Sequence, residues 1–183
     1  MKKVIVIGCP GSGKSTFSRA LHSLTGIPLF YLDQMNWNAD RTTVDPAVFL
    51  QRLTESMEQD AWILDGNYGQ TLERRLQHCD TVFFLDYPVE VCLAGIESRK
   101  GKPRPDMPWI EPEDEIDWAF LDFIKSFHTQ VRPDVLALLE KYRDRTVVIF
   151  HSREEADAYL KENAPRLSSQ TPEEHIGGHD IDL

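Results

Sequence analysis

The sequence is poor in cysteine and has no long apolar run. Cys9, Cys79 and Cys92 are an odd number of cysteines without CxxC spacing, which argues against a disulfide framework and a zinc knuckle. We therefore expect a protein of the reducing cytoplasm. No apolar run approaches the roughly 20 residues that cross a bilayer, and the first residues lack the pattern of a signal peptide. A membrane partner is not expected.

Positive charge is scarce as well. Lys and Arg total 20 against 30 Asp and Glu, which gives a formal net charge of -10. A surface with this balance repels a polyanion on average, so direct binding to nucleic acid is not expected. A local basic pocket for one small phosphate ligand is compatible with it.

The overall composition is that of one ordinary globular domain. Of the 183 residues, 41% are hydrophobic and 27% are charged, which fits a single compact core. Short apolar runs alternate with segments that have helical signals. The runs cover residues 4–7, 29–32, 62–64, 81–85 and 146–150. This alternation predicts an α/β sandwich around a parallel sheet.

Capping residues and apolar spacing predict the helices between these runs. The first covers residues 16–24, the second begins at Pro46 after a cap by Asp45, and the third runs from Pro88 to Arg99. The fourth covers residues 113–129 and has an acidic first turn, and the fifth runs from Pro133 to about Tyr142. Residues 100–108 are basic and rich in proline, which favours an exposed, mobile lid. Residues 165–183 are polar with little periodicity, so we expect a disordered tail after a domain that covers residues 1–164.

Residues 8–15 (GCPGSGKS) match G-x-x-x-x-G-K-[ST] and lie between a predicted strand and a predicted helix. In such a loop, backbone N–H groups converge on phosphate oxygens, the lysine reaches the β and γ phosphates, and the last hydroxyl binds Mg²⁺. The alternative is a glycine turn with a surface lysine, which this context disfavours. The motif predicts a site for ATP and Mg²⁺, with contacts from Gly8, Pro10, Gly11, Ser12, Gly13, Lys14, Ser15 and Thr16.

The loop alone does not separate kinases from GTPases, motor ATPases and DNA-remodelling ATPases. The sequence has no Asn-Lys-x-Asp segment of the kind that reads guanine, and its length leaves no room for an ATPase module with its own effector domain. A kinase is therefore favoured.

Three segments carry a resemblance to a known family. The phosphate loop, residues 61–66 (AWILDG) and residues 83–88 (FFLDYP) followed by Arg99 resemble the adenylate-kinase-like superfamily of small-molecule kinases, over most of residues 1–162. Within that superfamily, a second set of segments is most similar to the adenylate-kinase-related proteins often labelled topology modulation proteins. These segments are residues 31–33 (YLD), 36–37 (NW), 64–68 (LDGNY) and 104–107 (RPDM).

The resemblance implies a P-loop NTPase three-layer sandwich with a five-stranded parallel sheet in the order 2-3-1-4-5. It implies a short lid after the fourth strand's helix, at about residues 99–118, and an acceptor-binding region after the second strand, at about residues 33–60. It also implies that the loop after the last strand, with His151 and Arg153, borders the adenine of ATP.

Two acidic residues are candidates for the chemistry because each follows a predicted strand. Asp65 lies where P-loop proteins hold Mg²⁺, together with Ser15, although the Gly-Asn pair after it also fits a turn cap. Asp33 should face the phosphate loop from the carboxyl edge of the sheet and there deprotonate an acceptor hydroxyl; the alternative is a turn cap. Trp37 is either a stacking face for the acceptor or part of the core.

Phosphoryl transfer needs positive charge on the moving group and exclusion of water, which a basic lid supplies when it closes. Arg99 and Arg104 are the lid candidates, and Arg132, just before Pro133, is expected to face inward from the lid's far end. For each of the three, the alternative is a solvated surface arginine. Asp86 is expected to be a structural helix cap.

One departure from the family bears on the acceptor. Adenylate kinases carry Asp-Gly-Phe-Pro-Arg, whose arginine grips the acceptor's phosphate, whereas residues 65–69 of this chain are Asp-Gly-Asn-Tyr-Gly. Asn67 and Tyr68 are expected to bond hydroxyls of a nucleoside or sugar-like acceptor. Arg74 or Arg75 would restore a phosphate contact, or would be exposed helix residues.

These residues predict a kinase, monomeric or weakly dimeric, that moves the γ-phosphoryl of ATP with Mg²⁺ onto a nucleoside- or nucleotide-like acceptor. Lys14, Asp33 and the arginines would carry the catalysis. One rival is a nucleotide-binding regulator linked to DNA topology through a partner. Another is a sugar or shikimate-type kinase, which would share every donor-side residue.

Overall fold

The computed structural model describes residues 1–169. Its five strands are β1 (Lys3–Gly8), β2 (Leu29–Tyr31), β3 (Trp62–Asp65), β4 (Thr81–Leu85) and β5 (Thr146–Phe150). They form one parallel sheet in the order β2-β3-β1-β4-β5. The α/β class and the strand order expected from the sequence are confirmed.

Eight helices occur among the described residues. The first four are α1 (Lys14–Thr25), α2 (Leu32–Asn36), α3 (Pro46–Met57) and α4 (Gly69–His78). The others are α5 (Val89–Arg99), α6 (Trp118–Gln130), α7 (Arg132–Lys141) and α8 (Arg153–Ser168). Asp45 caps α3 as expected, because its side chain accepts a hydrogen bond from the Ala47 N–H at 2.7 Å.

The central strand β1 shows why helices cover both faces of the sheet. Val4, Ile5 and Val6 are completely buried, although their side chains alternate between the two faces. The helix α1 packs against β1, β2, β3 and α8, while α4 also packs against β1 and α8 packs against β5. The helices α5, α6 and α7 pack in succession. The result is a three-layer sandwich.

The register of the sheet brings the strand ends together. Tyr31 stands opposite Asp65, and Asp65 stands opposite Val6 in the next strand. Because all the strands are parallel, their carboxyl ends open at one edge, where ligands bind in open α/β sheets. The phosphate loop after β1, Asp65 at the end of β3 and Asp33 after β2 therefore share that edge.

The helix expected over residues 113–129 begins later, at Trp118. Asp117 caps it by accepting a hydrogen bond from the Phe120 N–H at 2.9 Å. The acidic residues before it make tertiary contacts instead: Glu115 pairs with Arg41 at 2.8 Å, and the Glu113 side chain packs against the backbone of Gly101. These acids belong to the connection between α5 and α6, residues 100–117, which we call the lid segment.

The expected boundary between domain and tail is wrong. The helix α8 continues through Pro165 to Ser168, and Leu167 is only 1% exposed. Leu160 and Leu167 lie two turns apart on one buried face, which anchors the end of the helix. Residues 165–169, with Ser169 as the C-terminal cap of α8, therefore belong to the domain. The rest of the expected tail, residues 170–183, lies outside the described part of the chain.

The sequence pattern does not predict α2. Leu32, which the apolar run assigns to a strand, instead begins this short helix and is fully buried. The Trp37 N–H closes it with a hydrogen bond to the Asp33 carbonyl at 2.9 Å. Asp33 and Trp37 are therefore one helical turn apart and lie on the same face.

Cys9, Cys79 and Cys92 are all buried and free. Burial raises the pKa of the Cys79 thiol to about 11, so this group is neutral near pH 7. No helix within residues 1–169 has the length and the apolar character that a bilayer crossing requires.

The phosphate loop and α5 touch backbone to backbone. A Cβ added at Gly95 would lie 2.0 Å from the Gly11 carbonyl oxygen, and one added at Gly11 would lie 2.0 Å from the Cys92 carbonyl oxygen. Gly11 also has a φ of +84°, which side chains other than glycine rarely tolerate. Glycine at both positions lets α5 support the loop directly.

We predict that Gly95→Ala lowers the free energy of unfolding by about 2 kcal/mol, because the added methyl group overpacks a backbone contact. Gly69→Ala is the matched control, since no heavy atom lies within 4 Å of its Cβ position. It should be neutral, or stabilising by less than about 1 kcal/mol. Urea unfolding measures both values, and equal effects would contradict the contact.

Candidate functional site

The phosphate loop, residues 8–15, has the form of a phosphate cradle. The Gly8 N–H donates to Asn67 Oδ1 at 2.9 Å, and Lys14 Nζ donates to the Cys9 carbonyl at 3.2 Å. Gly13, with a φ of +96°, turns the loop into α1. The lysine and the free N–H groups that begin a helix therefore lie side by side, as anion binding requires.

Two cavities meet at the start of α1. The loop cavity, about 450 Å³, is lined by residues 11–16 and by parts of α5 and α8. The aromatic cavity, about 400 Å³, is lined by Trp37, Tyr68, Trp109 and Phe120 together with polar groups. The residues that line both are Lys14, Ser15, Arg99, Arg104 and Asp106.

The loop cavity contains most of the predicted nucleotide contacts. Gly11, Ser12, Gly13, Lys14, Ser15 and Thr16 line it, whereas Pro10 lines the aromatic cavity and Gly8 lines neither. Arg153 reaches the loop cavity from the start of α8, and its Nη2 donates to the Gly11 carbonyl at 3.4 Å. The predicted position of Arg153 beside the nucleotide site is thus compatible with the structure.

Arg132 and His151 lie elsewhere. Arg132 Nε and Nη2 donate to the two oxygens of Asp86, each at 2.8 Å. His151 lines the same separate depression, with Nδ1 3.8 Å from Asp86 Oδ2. A buried carboxylate needs a charged partner, and Arg132 supplies it by joining the start of α7 to the end of β4. The expectation that Arg132 faces inward is therefore corrected, and the His151 side chain lies outside both cavities. Asp86 is structural, but as the partner of Arg132 and not as the expected cap, since α5 begins without a side-chain cap.

Asp33 lines the aromatic cavity and is held by Tyr68, whose hydroxyl donates to Asp33 Oδ1 at 2.8 Å. Burial raises the pKa of the Asp33 carboxyl, while the Tyr68 hydrogen bond and the charge of Lys14 oppose that rise. Burial and the charge of Asp33 also raise the pKa of Tyr68, so the tyrosine stays protonated as the donor. An oriented carboxyl group thus faces the cavity that Lys14 and Ser15 also line.

Asp65 is buried at the end of β3, with 4% of its surface exposed. Its Oδ1 has no hydrogen-bond partner among the described residues. Burial raises the pKa of this carboxyl to about 7, although Lys14 and the Ser15 hydroxyl favour the charged form. An unused carboxylate oxygen near a serine hydroxyl is a donor set that suits Mg²⁺.

Sequence reasoning missed Asp106 as a site residue. It lies in the lid segment, is 4% exposed, and accepts hydrogen bonds from Ser15 Oγ at 3.2 Å and from Arg104 Nη1 at 3.0 Å. The signal that would have found it is its position as the single acid in the basic segment 100–108. The lid segment therefore brings a carboxylate to the serine predicted to bind Mg²⁺.

Glu111, also missed, pairs with both lid arginines. Arg99 Nε donates to Glu111 Oε2 at 2.7 Å, and Arg104 Nη2 donates to Oε1 at 3.4 Å. The Arg99 guanidinium also lies over the Phe120 ring, 5.9 Å from its centroid. Both arginines are largely shielded, so the alternative of solvated surface residues is wrong for them.

Two predicted acceptor contacts have other partners. Asn67 lines the aromatic cavity but uses Oδ1 to hold the Gly8 N–H. Arg74 Nη2 donates to Thr54 Oγ1 at 2.9 Å, is exposed, and lines neither cavity. The predicted phosphate contact of Arg74 is therefore corrected, since its helix position directs it to α3.

Arg75, one residue further, is completely buried beneath the loop that follows β3. It donates to the carbonyls of Gly66 at 3.0 Å, of Asn67, and of Tyr68 at 3.2 Å. Burial lowers the pKa of this guanidinium to about 9. Arg75 therefore sets the path of the loop that holds Tyr68 and, through it, Asp33.

We predict that Arg75→Ala lowers the free energy of unfolding by about 3 kcal/mol or more, because it leaves buried carbonyls without a donor. Arg74→Ala, the neighbouring and exposed control, should change it by less than about 0.5 kcal/mol. Urea unfolding at pH 7 separates the two. Similar losses would show that Arg75 does not support the loop.

Comparison with known proteins shows the fold. No family model and no curated protein matches this chain. Among solved structures, the chain is similar to the 1.7 Å crystal structure of shikimate kinase from Bacteroides thetaiotaomicron, with a TM-score of 0.51 and 20% sequence identity over 90% of this chain and 96% of that one. At that identity the likeness concerns the architecture. The closer resemblance to topology modulation proteins stays a prediction.

Proposed function

We propose that this protein is an ATP-dependent kinase that transfers the γ-phosphoryl group to a hydroxyl of a small nucleoside- or nucleotide-like acceptor. The observation that carries the proposal is that Lys14 and Ser15 line both cavities. A triphosphate held by the phosphate loop would end where the aromatic cavity begins. Asp33 lines only the aromatic cavity, on the side where an acceptor would enter.

Ser15, Asp65 and Asp106 are the residues that would hold Mg²⁺, directly or through water. The unpartnered Oδ1 of Asp65 and the contact between Ser15 and Asp106 support this assignment. When bound, Mg²⁺ neutralises the charge on the β and γ phosphates. Lys14 adds a second positive charge at the same place.

Asp33 would orient the acceptor hydroxyl and accept its proton as the phosphoryl group arrives. Arg99 and Arg104 lie between the cavities, where they would balance the charge on the transferred group. To do so they must exchange Glu111 and Asp106 for phosphate oxygens, so ATP binding would rearrange the lid segment. The same movement would exclude water.

A shikimate-type kinase is a second candidate, because the fold is similar to that of a shikimate kinase over nearly the whole chain. It would share Lys14, Ser15 and the lid arginines and differ in the acceptor alone. A regulator that acts on DNA through a partner would instead bind ATP and transfer no phosphoryl group to a metabolite.

With labelled ATP and a panel of acceptors, we expect transfer to one class of metabolite. Lys14→Ala should lower kcat by about 100-fold or more, since it removes charge stabilisation in the transition state. Lys125→Ala, an exposed lysine of α6 outside both cavities, is the control and should leave the rate unchanged. ATP hydrolysis that DNA stimulates, without any transfer, would contradict the kinase and favour the regulator.

The pH dependence tests Asp33. A carboxylate base works only when deprotonated, so kcat/KM should fall as the pH drops through the raised pKa of Asp33. Tyr68→Phe removes a hydrogen bond that lowers this pKa, so the acid limb should move to higher pH. Asp33→Asn should remove the limb and lower kcat by about 100-fold or more.

Tyr142→Phe is the matched control for this pH profile, because the Tyr142 hydroxyl also donates to a carboxylate, Glu73, but lies outside both cavities. Its acid limb should coincide with that of the unaltered protein. An acid limb that stays in place in Tyr68→Phe would rule out Asp33 as the group that titrates.

A further inference from the structure

The walls of the aromatic cavity bear on the chemistry of the acceptor. Trp37 and Trp109 meet edge to face, with ring centroids 5.9 Å apart and an interplanar angle of 78°. Both are partly exposed, and both line the cavity. The indole N–H of Trp109 has no hydrogen-bond partner within residues 1–169. That N–H is buried, and the Arg41 guanidinium lies over the Trp109 ring, 5.3 Å from its centroid. Trp37 therefore supplies the flat aromatic surface, which suits a flat, polar ring.

Trp37, the proposed stacking surface, and Asp33, the proposed base, both belong to the short helix α2 and its C-terminal cap. Trp37 follows Asp33 by one helical turn, and its N–H donates to the Asp33 carbonyl at 2.9 Å. A backbone bridge between Trp37 and Thr43 fixes the chain after α2. A ring packed against Trp37 would therefore place a hydroxyl substituent near Asp33 without a further rearrangement of α2.

The charges of the cavity favour an uncharged acceptor over an anionic one. Arg41 Nη1 pairs with Glu115 Oε2 at 2.8 Å, and Lys100 pairs with Glu97 at 2.9 Å. Arg99 and Arg104 are paired with carboxylates of the lid segment and also line the loop cavity, as does Lys14. On the acceptor side, every lysine and arginine that lines the cavity in the described part of the chain thus has a carboxylate partner or serves the triphosphate. A second phosphate or a carboxylate would have to compete with these carboxylates for a cation.

We infer that the acceptor is an uncharged, hydroxyl-bearing compound with a flat heteroaromatic ring, of the nucleoside class, whose ring packs against Trp37. Nucleoside monophosphates and aliphatic carboxylates such as shikimate are then poor acceptors. This inference rests on the proposed kinase function and narrows its acceptor. A cavity of about 400 Å³ lies within the range that holds small ligands of this size.

Equilibrium dialysis in the presence of Mg²⁺ and a non-hydrolysable ATP analogue tests the inference. The probes are the common nucleosides, their 5′-monophosphates and shikimate. We expect at least one nucleoside to bind 10-fold or more tightly than its own monophosphate and than shikimate. Tighter binding of a monophosphate or of shikimate, or no binding of any nucleoside, would overturn the inference.

Variants locate the binding to this cavity. Trp37→Leu should weaken nucleoside binding 10-fold or more, and Trp37→Phe, which keeps a ring, should restore most of it. Trp118→Leu is the control, because Trp118 is 65% exposed and lines neither cavity. If Trp37→Leu binds as tightly as Trp118→Leu, the ring does not pack against Trp37 and the inference fails.

Glu115→Gln tests the charge argument separately. It releases Arg41, and both residues are exposed, so the fold should be unaffected. The variant should raise the affinity for the monophosphate at least a few-fold relative to the affinity for the nucleoside. An unchanged preference would contradict the role of the paired cations.

Phosphoryl transfer separates this inference from the proposed function. Nucleoside binding that depends on Trp37, without transfer from ATP, would refute the kinase and leave the binding class intact. Transfer to a monophosphate or to shikimate would support the kinase and refute the acceptor class.

Discussion

The shape of the phosphate loop at the start of α1 depends on a direct backbone contact between this loop and α5. Gly11 rests on the carbonyl of Cys92 and Gly95 on the carbonyl of Gly11, at distances that no side chain permits. From this contact the rest of the site follows in steps. The Gly8 N–H donates to the Asn67 side chain, and Arg75 donates to the carbonyls of residues 66–68. The same loop carries Tyr68, whose hydroxyl donates to Asp33. The phosphate loop and the carboxyl group proposed as the base are therefore parts of one rigid arrangement.

Carboxylates of the lid segment occupy the places where phosphate charge would be needed. Asp106 accepts hydrogen bonds from Ser15 and Arg104, and Glu111 accepts them from Arg99 and Arg104. Arginines as shielded as these two would destabilise the fold if they lacked such partners. These pairs thus keep the cations in position. In the proposed function, a triphosphate would have to displace the carboxylates from them. An acidic protein can in this way present a phosphate site without exposing a basic surface.

Local signals in the sequence were enough for the strands, the phosphate loop and the positions of Lys14, Ser15 and Asp65. The resemblance supplied the strand order. The errors at the candidate site occurred where a residue's partner is distant in sequence. Arg132 follows the lid in the chain, yet the buried Asp86 draws it away from the cavities. Asn67 lines the aromatic cavity as expected, but its side-chain oxygen accepts from the Gly8 N–H, a contact that the sequence did not predict. Asp106 was overlooked because its relation to Ser15 spans the whole middle of the chain.

The sequence by itself determined the class of fold and the place where we propose that a triphosphate binds, because apolar periodicity and a glycine-rich loop act over a few neighbouring residues. Only the tertiary structure decided which charged groups reach that place and which are used elsewhere. Ion pairs and burial depend on distances through space and not along the chain. Arg74 and Arg75 are adjacent in the chain, yet Arg74 is exposed, whereas Arg75 is buried and supports the loop after β3. The same reason separates Arg104, at the cavities, from Arg132, which is bound to Asp86.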